Sequence, residues 1–298
     1  MGKSFWKELL ILLWFTFLGL IITGILSFIV VAVLSVTSLG VDSLTLHVAQ
    51  WLQTIFVMFL PPIWWYWRRK NKNALKDFGF CSFNWKYAIY AVIYVVISEP
   101  ATELVEVIFH NIPWPEAIKE SLQQSALENY NVMGMLLSGD SIFAWVEQIL
   151  LVSICTGIAE ETMFRGGLLK CFDSSTLNKH KVAVAIGFIF AAIHFEPEGF
   201  VVRWFLGSLF CYFVYWSGSI WPAIIAHAAN NLLALIQYKI YGYGNPLAED
   251  AYELTFGWVA SIISVVLTIA FIYYIQKQAV FLPEPVEEEP ETVEPKSE

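Results

Sequence analysis

From Leu9 to Val41 the chain carries no charged residue. That run exceeds the roughly 20 apolar residues a helix needs to cross a bilayer. It is also longer than the about 7–15 residues of a signal-peptide core and has no clear small-residue cleavage site, so it reads as a retained first transmembrane helix. The pattern recurs. Apolar segments occupy roughly Leu9–Leu34, Leu46–Trp67, Tyr87–Phe109, Ile142–Met163, Val182–Phe195, Phe200–Trp216, Trp221–Tyr241 and Leu254–Ile275. Every backbone polar group in hydrocarbon must be satisfied inside the protein, and for an open chain only helix does this. The expected fold is all-α: a polytopic membrane protein of about eight transmembrane helices, the fifth short enough to dip or tilt. A composition of 57% hydrophobic residues with 13 Trp agrees, since soluble domains run nearer ~45–50% apolar.

The net charge of −9 is misleading, because Phe281–Glu298 holds seven Glu and one Lys and so supplies −6 of it. That stretch has no apolar periodicity. It is expected to be a disordered acidic Pro/Glu-rich tail over 282–298, following a transmembrane domain over 1–281. Nothing basic enough for nucleic acid appears. Cys81, Cys155, Cys171 and Cys211 form no CxxC pair and no zinc-finger or disulfide spacing, and read as apolar fillers. With the N-terminus inside, thirteen of seventeen Lys and Arg fall in cytoplasmic segments, and Lys119 alone is clearly outside. The expected topology is therefore N-in and C-in. The longest outer loop, His110 to Asp140, contains "PEAIKESLQQSALENY", an amphipathic stretch suited to the interface.

Few other strongly polar groups are expected to interrupt the spans once "GIAEETMFRGG", Gly157 to Gly167, and the two histidine segments are set aside. On a helix Glu161 and Arg165 are four apart and share a face, so they can pair. Glu160 is rotated about 100° from Glu161 and points elsewhere. An intramembrane ionisable group is a functional hypothesis by default. The alternative is that all three sit solvated at the cytoplasmic boundary, with Gly166 and Gly167 ending the helix. "GFIFAAIHF" places His194 in or at the end of the fifth helix, four residues after Phe190. "WPAIIAHAANNLL" places His227 and Asn231 on one face of the seventh. A single His in such a helix is more often a hydrogen-bonded structural residue, and a Phe more often packing. Measured by the helix rise, Glu160 lies roughly 15 Å from the cytoplasmic end of its helix, His194 about 18 Å and His227 about 9 Å from theirs. These depths allow the three to meet.

"EETMFR" fits EExxxR, "FAAIH" fits FxxxH and "HAANN" fits HxxxN. In that order, on an eight-helix membrane protein, the motifs resemble the type II CAAX prenyl endopeptidases and their bacterial CPBP (Abi) relatives. The resemblance covers mainly Ser141 to Leu235. It implies an intramembrane endopeptidase in a bacterial cytoplasmic membrane, acting on a peptide or protein substrate, prenylated or not; some relatives are linked to bacteriocin immunity. By the resemblance Glu160 activates a water, His194 assists it, His227 and Asn231 stabilise the oxyanion, and Glu161, Arg165 and Phe190 support them. A metal version makes Glu160, His194 and His227 a His2Glu zinc set with one open position. HExxH is absent, and the reading favours a metal-free glutamate mechanism. Two other classes stay open: a proton-coupled transporter using Glu160 and the histidines as a relay, and a non-catalytic immunity or scaffold protein. No internal repeat supports the transporter.

Overall fold

Apolar sequence with few breakers becomes helix almost throughout, and the computed structural model contains no strand among its described residues, which are 3–36, 41–68, 74–172, 177–242, 245–248 and 253–279. The acidic tail from 282 onward lies outside them. Helix α1 is Lys3–Val36. The second long helix is built of α2 (Val41–Leu52), a π-helical segment π1 (Gln53–Phe59) and α3 (Leu60–Arg68). After the short α4 (Ala74–Asp77) come α5 (Lys86–His110) and α6 (Glu116–Leu136). The next helix runs without a break through α7 (Ile142–Gln148), π2 (Ile149–Cys155), α8 (Thr156–Glu161), π3 (Thr162–Leu168) and α9 (Leu169–Phe172). It is followed by α10 (Lys179–Ala192), α11 (Phe200–Ser217), α12 (Trp221–Tyr241) and α13 (Gly257–Gln278).

Helix ends follow local chemistry. Ser141 caps α7 by accepting from Ala144 N, and Asn178 caps α10 by accepting from His180 N. Gly218, in the left-handed region at φ 70°, closes α11, a conformation that costs glycine nothing. Pro222 opens α12 where its missing N–H is not needed. Pro100 interrupts α5, and Ser264 of α13 repairs the break: its Oγ accepts from Ala101 N at 3.1 Å and donates to Ile97 O at 2.5 Å.

Among the described residues five helices are long and apolar enough to cross a membrane: Ser4–Ser35, Ser43–Arg68, Ile142–Phe172, Phe200–Ser217 and Gly257–Gln278. The other three expected spans are helices with physical reasons to fall short. α5 carries Glu99, Glu103 and Glu106, α12 carries His227, two Asn, Gln237 and Lys239, and α10 has only 14 residues, about 21 Å of rise. The fifth span is also shorter than its apolar pattern, ending at Ala192 so that Ile193–Phe195 form a turn. The amphipathic stretch between His110 and Asp140 is helical as α6, burying Leu122, Ala126 and Leu136. Apolar side chains face outward along α1 and α13, where Phe28 is 75% and Val259 74% exposed.

Two close crossings shape the interior. At Gly187 an added Cβ would stand 2.3 Å from Ser208 Oγ and 2.5 Å from Trp204 O, so α10 and α11 meet backbone to backbone. At Gly157 a Cβ would stand 3.2 Å from Ala228 N, so α8 and α12 do the same. Without a hydrophobic drive between helices in lipid, such small-residue contacts are what allow tight association.

Candidate active site

The candidate residues come from α8, π3, the end of α10 and α12. The Gly157 contact brings α12 against both glutamates. His227 Nδ1 lies 2.8 Å from Glu161 Oε1, and His227 Nε2 lies 3.8 Å from Glu160 Oε2. Arg165 Nη1 donates to the same Glu161 Oε1 at 2.8 Å. The Glu161 and Arg165 side chains have no solvent exposure, and Glu160 retains 13%. This corrects the reading in which the three charges are solvated at a boundary. The helix does not stop at Gly166 and Gly167 either. Both are buried inside π3, and the helix runs on to Phe172. Glu160 and Glu161 thus sit between two π segments, a rare geometry that recurs at functional sites.

Arg165 is a fully buried cation, tolerable only because it is enclosed by partners. Besides Glu161 it donates from Nη2 to Gly207 O at 2.5 Å. Its guanidinium carbon lies 5.7, 5.4 and 5.3 Å from the ring centres of Phe164, Phe190 and Phe210, within cation–π range. The tight α10–α11 crossing holds Gly207 where that carbonyl can accept.

Phe190 is the aromatic hub of the group. Its ring meets Phe164 at 5.1 Å, His194 at 4.9 Å and His227 at 5.8 Å. Phe210 stacks on His227 at 5.3 Å with planes 26° apart. Phe210 belongs to no motif, and an aromatic in an apolar helix gives no sequence signal. His194 lies in the turn after α10, its Nδ1 2.7 Å from Phe190 O, and no hydrogen bond or ion pair joins it to Glu160. The next residue, Phe195, has φ 54°, a strained position for a non-glycine residue. Asn231 shares the inward face of α12 with His227 and donates to Val152 O of π2 at 3.0 Å. Ser153 Oγ of π2 returns a bond to Ala228 O at 2.7 Å. Wide π turns leave carbonyls for such cross-helix bonds.

Among the described residues no three His, Cys, Asp or Glu side chains gather at metal-ligand spacing. Glu161 at His227 Nδ1 and the Phe190 carbonyl at His194 Nδ1 leave both Nε2 atoms open, the partners that a metal-bound histidine also has, but in this arrangement Glu160, His194 and His227 are not drawn together to metal-ligand spacing.

The expectation that few other polar groups interrupt the spans is overturned by α5. Glu99 accepts from Gln237 Nε2 and Glu103 from Thr255 N, each at 2.8 Å. His110 lies 3.7 Å from Glu198, and Arg203 pairs with Glu196. The spacing 99, 103, 106 along one helix face was the available signal.

Residues 142–233 match the Rce1-like family, described as type II CAAX prenyl endopeptidase Rce1-like. A curated relative, "Uncharacterized protein YyaK" of Bacillus subtilis (strain 168), is 26% identical over 195 residues, which is 57% of this chain. The match spans 58% of that relative's length. No solved structure matches. With several long apolar helices, these findings indicate an integral multi-pass membrane protein whose segment 142–233, carrying EExxxR, FxxxH and HxxxN, is similar to the Rce1-like, type II CAAX prenyl endopeptidase family.

Proposed function

We propose that the protein is an intramembrane endopeptidase of the CAAX-protease type. It crosses a bacterial cytoplasmic membrane about eight times with both termini inside, and cleaves a peptide or protein substrate, prenylated or not. The observation that carries this reading is Glu160. Its Oε2 is buried, takes no hydrogen bond from the protein, and faces His227 Nε2 across 3.8 Å. A carboxylate so placed is available to a water.

In the proposed reaction Glu160 takes a proton from a water whose oxygen attacks the scissile carbonyl carbon. Asn231 flanks the oxygen that becomes negative, and His227 donates to it once its Nε2 shares the proton that Glu160 takes from the water. The Asn231 amide has two N–H groups, so the one on Val152 O leaves a second for the oxyanion. Preorganised donors in a dry site are worth about 10²–10³-fold each. The proton held by Glu160 passes to the leaving amine, the C–N bond breaks, and the carboxylate is regenerated. His194 Nε2, free of the Phe190 carbonyl, assists the water. A metal-free reaction predicts turnover that survives excess chelator.

The test compares the membrane and secreted peptides of cells bearing wild-type protein with those bearing Glu160→Gln, which keeps size but removes the base. Expected is a folded, membrane-inserted variant that leaves one or more substrates uncleaved. Identical peptide sets from both strains, with the variant present at normal level, would sink the proposal.

A further inference from the structure

The mechanism leaves one fully buried carboxylate without a chemical task. Glu161 Oε1 is shared by two donors at 2.8 Å, Arg165 Nη1 and His227 Nδ1. A structural ion pair would need only the first. Arginine keeps its protons in proteins, and the carboxylate paired with it is an acceptor only. The hydrogen between Glu161 and His227 therefore belongs to Nδ1. With Nδ1 engaged, Nε2 is the nitrogen turned towards Glu160, 3.8 Å away. Phe210, stacked on the imidazole, fixes the plane in which it points.

We infer that Glu161 is a positioning residue for His227: its carboxylate, anchored by Arg165, holds the Nδ1–H tautomer and so presents a bare Nε2 to Glu160. The inference rests on the endopeptidase reading of Glu160 but concerns a proton that is observable without turnover. Its chemical consequence is a division of labour between the adjacent glutamates. Glu160 handles the water. Glu161 acts through the imidazole, which accepts at Nε2 and is stabilised by the carboxylate at Nδ1 when it takes a proton. The reach of Arg165 to Gly207 O and its three aromatic faces keep Glu161 Oε1 from turning away. A histidine free in water favours the opposite, Nε2–H tautomer, so the arrangement has to be imposed.

The experiment is nitrogen-15 NMR of the full chain in detergent with labelled histidine, at a pH where the ring is neutral. The chain has five His, and the His227 signals are assigned by their loss in His227→Gln. Wild-type His227 should carry its proton on Nδ1. Glu161→Leu alone strands the buried Arg165 charge and destabilises the fold, so the pair is replaced together as Glu161→Leu with Arg165→Met. Replacing a buried pair by apolar residues is often neutral in stability. In that double variant His227 should move to Nε2–H. Turnover should fall by about 10²–10⁴-fold with KM nearly unchanged, as for a triad histidine that loses its orienting carboxylate. Arg165→Gln alone should melt earlier yet keep the Nδ1–H tautomer, and Glu161→Gln, which still offers an acceptor, should recover part of the rate. Three results overturn the inference: a bare Nδ1 in the wild type, a double variant that keeps both tautomer and turnover, or equal rate loss in Arg165→Gln and the double variant with the tautomer unmoved. If the wild type cleaves nothing, the tautomer alone decides, and the endopeptidase reading fails separately.

Discussion

Adding side-chain volume at Gly157 should damage the site without touching a polar residue. A Cβ there meets Ala228 N at 3.2 Å and Ala228 Cα and Cβ at 3.4 Å. The nearest of these atoms is backbone and cannot swing aside. For Gly157→Ala the neighbour must yield a few tenths of an ångström, while the helix gains roughly 0.5–1 kcal/mol from the lost flexibility of glycine. Stability should change little. Gly157→Val adds two methyl groups against the α12 backbone, and overpacking of that kind costs about 1–3 kcal/mol. Relief requires α12 to retreat by about 1 Å. His227 rides on α12, so its 2.8 Å bond to Glu161 would stretch beyond hydrogen-bond range and its 3.8 Å separation from Glu160 would widen. A misplacement of about 1 Å can cost roughly 10²-fold in rate. The assay is melting temperature and cleavage rate in one detergent for wild type, Gly157→Ala, Gly157→Val, and Gly157→Ala combined with Ala228→Gly, which removes one of the atoms met and should recover any loss. A folded Gly157→Val that cleaves at the wild-type rate would show that this crossing does not set the geometry.

Other outcomes follow from the same contacts. Glu161→Gln and Arg165→Gln each leave a buried charge without its partner, at a cost of about 3–5 kcal/mol; neither side chain has any exposure, so solvent offers no relief. Their double variant should melt later than the two losses added together, and strict additivity would deny the coupling. Burial, with Glu196 adding to it, lifts Glu198 in the α10–α11 connection to about 7. An acid whose folded value lies above its unfolded value near 4.3 holds its proton better when folded. Stability then falls as pH rises from about 4 to about 7 and levels off above. Glu198→Gln should accordingly melt later than wild type at pH 8 and alongside it at pH 4; parallel melting curves across that range would contradict the burial argument. Reporters fused to either terminus should score as cytoplasmic, and an external C-terminal reporter would reverse the orientation drawn from the thirteen inner Lys and Arg.

Much of the architecture is encoded locally and can be read without coordinates. The uncharged run that starts at Leu9 lies in α1 as far as Val36, the short fifth segment becomes the 14-residue α10, and the amphipathic stretch after His110 becomes α6. These are consequences of hydropathy and helix geometry alone, since a backbone in lipid has few other choices. The Glu161–Arg165 pair is local too, being one helical turn apart. What the chain pattern does not carry is anything decided between helices. That Glu161 also receives His227, 66 positions away, depends on Gly157 letting α12 approach. That Arg165 finds Gly207 O and three aromatic rings depends on the glycine crossing of α10 and α11. Asn231 reaches Val152 O because π2 widens the helix there, and no periodicity of side chains announces a π segment. The sequence alone determined which polar groups enter the membrane-spanning helices and on which faces. Tertiary packing decided which of them share a hydrogen, because a few tenths of an ångström at two glycines separate a bond from a gap.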